Sequence, residues 1–422
     1  MTRATLDLPV ELWGIVFTYS FQTDPYSRQN LTCVNYRFNA IACATPQLWT
    51  RISFTPKYNF RDLELTRTLL RRAGCLPLDV YVSSYYLGRP FGELLGEYVS
   101  RFRFLQVRGE NTRSVVALLS LIGQHRPAPL LEHLSILCEE QTPDTPILTN
   151  VLHPCPRLTR LTATASTLSM IRVAKPSGLL STITNVNLDT SVSQFNREVH
   201  RISPLLSQMP HLHVFKLSAD TGHGCDLSFL QYPFKFLYLM PQLYSVEVVV
   251  NDFVIPTITR MKAPLLQTVK LNGNPNHHET FDMDLFKVST YWLLEHLSKT
   301  SPLITHLELN LVSIYHPLHN YPWIFGGKGF PSLEVLSLQS MFDLDDAVLH
   351  ECTPSRALKR LELLNCQNLG GTALIDFAKQ CSRDFQLKVE GSHLRPEDVA
   401  ILSSHVRFEY KQDGCGTCLD SV

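Results

Sequence analysis

The residue types that could do chemistry are few in this chain, and they are scattered. Cys415 and Cys418 stand in "GCGTC" at the spacing of a zinc knuckle. Tetrahedral zinc needs four ligands, and no second pair lies near them. A redox role would need a helix starting at the first cysteine, and Gly416 and the nearby chain end argue against it. His211 and His213 alternate in "MPHLHVFKL", which predicts two surface residues on one face of a strand. His277 and His278 sit in the polar "NGNPNHHET", and His316 and His319 flank Pro317 without carboxylates at ligand spacing. The sequence has no Gly-Lys-Ser/Thr phosphate loop, no His-Glu-x-x-His and no Gly-x-Ser-x-Gly. The expectation is no catalytic residue, no metal and no cofactor. An enzyme assembled from distant residues is the remaining catalytic reading.

Composition narrows the partners. The 422 residues carry 38 basic and 38 acidic side chains, so a nucleic-acid partner held by phosphate contacts is not expected. Charged residues are 18% against a usual figure of about 25%, which predicts a large buried fraction. No run reaches the ~18 apolar residues of a membrane span. Asp7 and Glu11 interrupt the first apolar stretch, unlike a signal peptide. Eleven cysteines without paired spacing suggest reduced thiols, hence cytoplasm or nucleus.

The elements that must position any site come from a repeat. "APLLEHLSI", "MPQLYSVEV", "SPLITHLEL" and "FPSLEVLSL" share Pro-x-Leu/Ile-x-x-apolar-x-apolar, recurring about every 28 residues from Leu131 to Leu358. The last three positions alternate at the strand period, so Leu307, Leu309, Leu336, Leu338, Leu361 and Leu363 should point into a core. Helical stretches such as "TYWLLEHLSKT" and "GGTALIDFAKQC" fill the intervals. Such a pattern resembles leucine-rich-repeat proteins with long, irregular units. It predicts an α/β fold: a right-handed solenoid over residues 51–410, with parallel strands on the concave face and a flexible tail at 411–422.

The first fifty residues differ. Pro9 and Glu11 suit a first helical turn, and Leu8, Leu12, Ile15, Val16 and Tyr19 share one helical face. "LTCVNYRFNAIACATPQLW" again has helical spacing at Leu31, Val34, Phe38, Ile41 and Ala42. "LPVELWGIVF" resembles the opening of an F-box, "VNYRFNAIA" its second signature, and "TPQLWTRISF" the ending common in large fungal F-box families. Asn35 stands where Cys is usual and Phe38 where Trp is usual. The resemblance covers roughly residues 5–54.

It implies a short all-α docking module at residues 1–50 that binds a Skp-type adaptor, and through it a cullin. The motif positions are Leu8, Pro9, Leu12, Val16, Phe17, Leu31, Val34 and Phe38. The chain would then be the non-catalytic substrate-recognition subunit of a ubiquitin ligase, with a protein substrate on its repeats. A non-ligase F-box scaffold is the alternative, and a leucine-rich enzyme or metal-binding protein ranks third. Outward strand positions include Lys216, Glu247, Lys270, His306, Glu308, Arg360, Glu362, Lys388 and Glu390, of mixed sign. The segment from Tyr315 to Phe330 is rich in aromatics, and Pro317, Pro322 and three glycines argue against a helix there. Glu308, Arg360, Glu362, Tyr321 and Trp323 are therefore the expected substrate contacts.

Overall fold

The computed structural model describes residues 8–23, 27–54, 60–83, 89–140, 151–170, 180–191, 202, 205–220, 238–250, 261–273, 283–312 and 321–411. Cys415, Cys418, His277, His278, Tyr315, His316 and His319 lie outside them. Two compact units divide the chain, Met1–Ile183 and Thr184–Val422. The helical module at 1–50 is thus part of a larger first unit.

That unit opens with α1 (Val10–Thr23), α2 (Ser27–Val34), α3 (Tyr36–Cys43) and a 3-10 turn at Pro46–Trp49. The apolar spacing from Leu31 to Ala42 is split between two helices because Asn35 intervenes. Its side chain caps α3 by accepting from the Phe38 N–H at 2.8 Å. Asn35 therefore starts the helix that carries the buried Phe38. Next come β1 (Arg51–Phe54), α4 (Phe60–Arg72), β2 (Leu78–Ser83), α5 (Arg89–Glu97), β3 (Phe102–Asn111), α6 (Thr112–Gly123), β4 (His133–Glu140), β5 (Arg160–Ala163) and α7 (Ala165–Ser169). Strands β1 to β5 pair in chain order, all parallel.

The second unit contains β6 (Asn185–Ser191), β7 (Val214–Asp220), β8 (Tyr238–Leu239), β9 (Ser245–Val250), β10 (Met261–Lys262), β11 (Thr268–Gly273) and α8 (Met283–Thr300). It continues with β12 (His306–Asn310), α9 (Tyr321–Phe325), β13 (Val335–Gln339), α10 (Asp346–Glu351), β14 (Arg360–Leu364), α11 (Gly371–Lys379), β15 (Gln386–Glu390), α12 (Pro396–His405) and β16 (Arg407–Lys411). Parallel pairing runs β6-β7-β9-β11-β12-β13-β14-β15-β16, and β8 and β10 form a small side ladder. Among the described residues the fold is α/β with parallel strands, as the repeat predicts. Successive connectors pack on one another as the strands do: α5 on α6, α10 on α11, α11 on α12.

The repeat has a single local cause. In each proline copy the residue before Pro accepts a hydrogen bond from the Leu or Ile three residues on: Leu131 to Ala128 at 3.1 Å, Leu266 to Ala263 at 3.1 Å, Leu333 to Phe330 at 3.1 Å. Proline is thus at the second position of a β-turn, where its fixed φ fits. The two ends of the turn are buried and the proline is exposed. The next residue donates to the preceding repeat, as in Gln267 to Tyr244 and Thr305 to Gln267, both 2.9 Å. Strand pairing begins there. Leu307, Leu309, Leu336, Leu338, Leu361 and Leu363 are all buried, 1% exposed or less.

The far ends of the last strands are also alike. Leu311, Ser340, Asn365 and Gly391 follow β12, β13, β14 and β15 at positive φ, 53°, 52°, 56° and 75°. Each donates its N–H to the end of the following strand: Gln339, Leu364, Glu390 and Lys411 respectively. Gly391 and Asn365 are of residue types that tolerate this conformation, and Leu311 and Ser340 are not.

His211 and His213 are not on a strand. His211 is exposed in the turn after Pro210, and β7 starts one residue after His213. The helix-breaking reading of the aromatic segment is also corrected. Residues 321–325 form α9, because Pro322 stands in its first turn, where the missing N–H costs nothing.

We predict that Leu336→Ala or Leu361→Ala lowers the stability of the full chain by about 2–5 kcal/mol. Chemical denaturation measures it, and a loss near zero would contradict the inward register.

Candidate functional site

The N-terminal helices are held by aromatic packing. The rings of Trp13, Phe17 and Phe38 meet in a triangle, with centroids 4.7, 5.1 and 5.6 Å apart. Phe17 and Phe38 are 1% and 6% exposed. The Trp49 indole N–H donates to the Ala42 carbonyl at 2.9 Å, and the Arg72 guanidinium lies 4.7 Å over its ring. The module is thereby joined to α4 of the first repeat.

This core takes only one side of α1, the one bearing Trp13, Phe17 and Phe21. The face that stands out in the sequence as the apolar stripe is the opposite one. Ile15 and Tyr19 are 64% and 71% exposed, and Leu8, Leu12 and Val16 are exposed with them. A helix apolar on all sides is normally enclosed. The Arg37 side chain donates to the Leu8 carbonyl at 3.1 Å, bringing the start of α3 beside this face. Val34 and Tyr36 are exposed there, Tyr36 at 90%. Beside the stripe an open groove of about 680 Å³ runs between Glu11, Ile15 and Tyr19 on α1 and Ala44, Pro46 and Gln47 opposite.

The structure therefore sorts the motif positions. Phe17 and Phe38 are core, Leu31 is half-buried, and Leu8, Pro9, Leu12, Val16 and Val34 are exposed. Sequence periodicity missed Tyr36, which is adjacent to the Asn35 cap.

The expected substrate residues fare differently. Tyr321 is 2% exposed, and its hydroxyl donates to Asp343 at 2.5 Å. Burial, then Asp343, raises its pKa well above the phenolic value. It is a core residue and not a surface anchor. Trp323 is half-buried against Tyr291 and Phe330, at 5.9 and 5.6 Å, and lies over Gly329, where a Cβ would meet the ring at 2.8 Å. Together with Phe325, these side chains fill the connector layer between β12 and β13. The outward charges neutralise one another: Lys216 with Glu247, Lys270 with Glu308, Arg360 with Glu362, at 2.5, 2.5 and 2.6 Å. The Lys270 pKa is raised, chiefly by its hydrogen bond to Glu308.

Among the described residues no three His, Cys, Asp or Glu side chains converge as a metal site. Burial pushes the Cys352 thiol up to about 12 and the Cys155 thiol to about 11, the opposite of a nucleophile. Among the described residues no helix is long and apolar enough to cross a membrane.

No protein-family model matches the chain, and no curated protein matches it. Among solved structures, a crystal structure of a Bacteroides fragilis protein aligns with 81% of this chain and 76% of that one, at 12% identity and a TM-score of 0.29. So slight a likeness carries no argument.

The sorting gives a direct contrast. Ile15→Glu with Tyr19→Glu should change unfolding free energy by no more than about 0.5 kcal/mol per site. Phe17→Ala should cost about 3–5 kcal/mol. Equal losses in denaturant titrations would mean that the outer face is not exposed.

Proposed function

We propose that the chain is the substrate-recognition subunit of a Skp–cullin–F-box type ubiquitin ligase. The observation that carries this reading is the second apolar face of α1. A short helix pinned from behind by Trp13, Phe17 and Phe38 turns Leu12, Ile15, Val16 and Tyr19 outward, and Leu8 is exposed just before its first turn. Those side chains are better suited to another protein than to water. The F-box resemblance supplies the partner, a Skp-type adaptor, and the motif positions Leu8, Pro9, Leu12, Val16 and Val34 are exposed as docking requires.

On this reading the strand–connector repeats are turns of a right-handed leucine-rich-repeat solenoid, with its strand face concave and open to a protein substrate. The chain contributes no nucleophile. It raises the effective concentration of the substrate's lysines near a ubiquitin-charged enzyme. The cytoplasm or nucleus is the compartment this role requires. Cullin co-capture through the adaptor separates a ligase receptor from an adaptor-held scaffold.

The expected outcome is that Leu8→Asp with Leu12→Asp abolishes capture of a purified Skp-type adaptor while the unfolding transition stays at the wild-type midpoint. Undiminished capture by this folded variant would refute the docking face.

A further inference from the structure

The last strand of the second unit differs from those before it. β16 pairs with β15 on one side, and among the described residues no strand pairs with its other side. The Arg407 N–H donates to the Phe385 carbonyl at 2.9 Å, and the Gly391 N–H donates to the Lys411 carbonyl at 3.2 Å. Alternate residues of a parallel strand turn to the same neighbour, so Phe408 and Tyr410 point their N–H and C=O groups at the open edge. Their side chains are also incompletely covered. Phe408 and Tyr410 are half-buried, whereas Leu387 and Val389, their register partners on β15, are 1% exposed or less. The two rings stack only on each other's flank, 6.2 Å apart and 11° from parallel. A repeat array is normally closed by a unit with a polar outer side, and β16 instead offers an apolar, hydrogen-bonding edge.

The outward residues of β16, Arg407, Glu409 and Lys411, alternate in sign. Lys411 is held by Glu390 at 2.8 Å. Arg407 donates one N–H to Asp384 at 3.0 Å in a well-exposed pair, and the rest of its five-donor fork stays available. Glu409 makes no ion pair among the described residues, because Lys388, opposite it on β15, turns to Glu390 at 3.6 Å. Antiparallel pairing of this strand with a second copy of itself matches these groups. Centred on Phe408, it sets each Arg407 opposite Glu409 of the second copy, and the two Phe408 residues exchange both backbone hydrogen bonds. Centred on Glu409, it would oppose Glu409 to itself and Arg407 to Lys411, and like charges directly opposite are destabilising. Centred on Tyr410, it would pair Glu409 with Lys411, which Glu390 already holds.

We infer that the open edge of β16 is an interface between two copies of this chain, paired antiparallel about Phe408. A two-fold axis places the same patch on both sides, so the strand must match itself, and Arg407 with Glu409 does so twice. A different protein would impose no such self-match. Val406 is extended ahead of β16, with φ −137° and ψ 169°, and its carbonyl faces the Tyr410 N–H of the second copy at each end of the ladder. Phe408 lies beside its own equivalent, which completes the cover that Leu387 receives from β16. The inference stands apart from adaptor docking, which uses α1 in the first unit.

The test is sedimentation equilibrium of the full chain, without adaptor, over a wide range of concentrations. Reversible association to twice the chain mass is expected, with slower amide exchange at residues 406–411 in the concentrated sample than in the dilute one. Glu409→Arg should weaken the association by roughly tenfold or more, because two attractions become two repulsions. Arg407→Glu with Glu409→Arg should restore it, since the exposed bridge to Asp384 that is lost contributes little. The inference is overturned if the chain stays monomeric at every concentration, which would mean that residues 412–422 or a different protein cover the edge. It is equally overturned if Glu409→Arg associates as the wild type does, or if the folded double exchange stays as weak as Glu409→Arg alone.

Discussion

A β-turn closed by a single backbone hydrogen bond sets the register of the strand that follows it. In the proline copies, Pro fixes the second residue of that turn, the flanking residues enter the core together, and the next N–H reaches the preceding repeat. A shift of one residue would turn Leu307 and Leu309 outward and Glu308 inward. Each Leu of the strand stabilises by about 1.5–3 kcal/mol when buried, so the penalty for slippage is shared by every repeat. The pairing Lys270–Glu308, and with it the neutral outward face of the second unit, follows from that register. So does the juxtaposition of Tyr81, Phe104 and His133 in the first.

This constraint is also why so much of the fold can be read in the residues. The proline and the apolar alternation are local signals, and turns and inward side chains follow from them. The exits from β12, β13 and β14 are not legible in the same way. Leu311 and Ser340 adopt positive φ because the next strand's carbonyl accepts their N–H, not because of their own preferences, whereas Asn365 is of a type that tolerates it. The segment around Trp323 misleads for a related reason. Its prolines and glycines do mark an interruption of the repeat, but the interruption is filled by aromatic packing on Tyr291, Phe330 and Asp343. Composition cannot distinguish an aromatic that fills a gap from one that awaits a partner.

The N-terminal helix presents the same ambiguity with the opposite result. Its most regular apolar stripe is the exposed one, and the core is made by the less regular set of Trp13, Phe17 and Phe21. Helical periodicity identifies a face but not what lies against it. Asn35 shows the converse: outside the regular apolar spacing, it has a structural role of its own, accepting from the Phe38 N–H to cap α3. Across the described residues the chain thus offers two kinds of surface. One is apolar and helical, on α1. The other carries the rings of Tyr81, Phe104 and His133, on β2 to β4.

On the function proposed above, the outer face of α1 is one half of an interface. Hydrogen–deuterium exchange on the full chain, with and without a purified Skp-type adaptor, reads this directly. Adding adaptor should slow amide exchange in α1 and at the start of α3 and leave the strand repeats of the second unit unchanged. Binding with no protection in α1, or no binding at all, would contradict it.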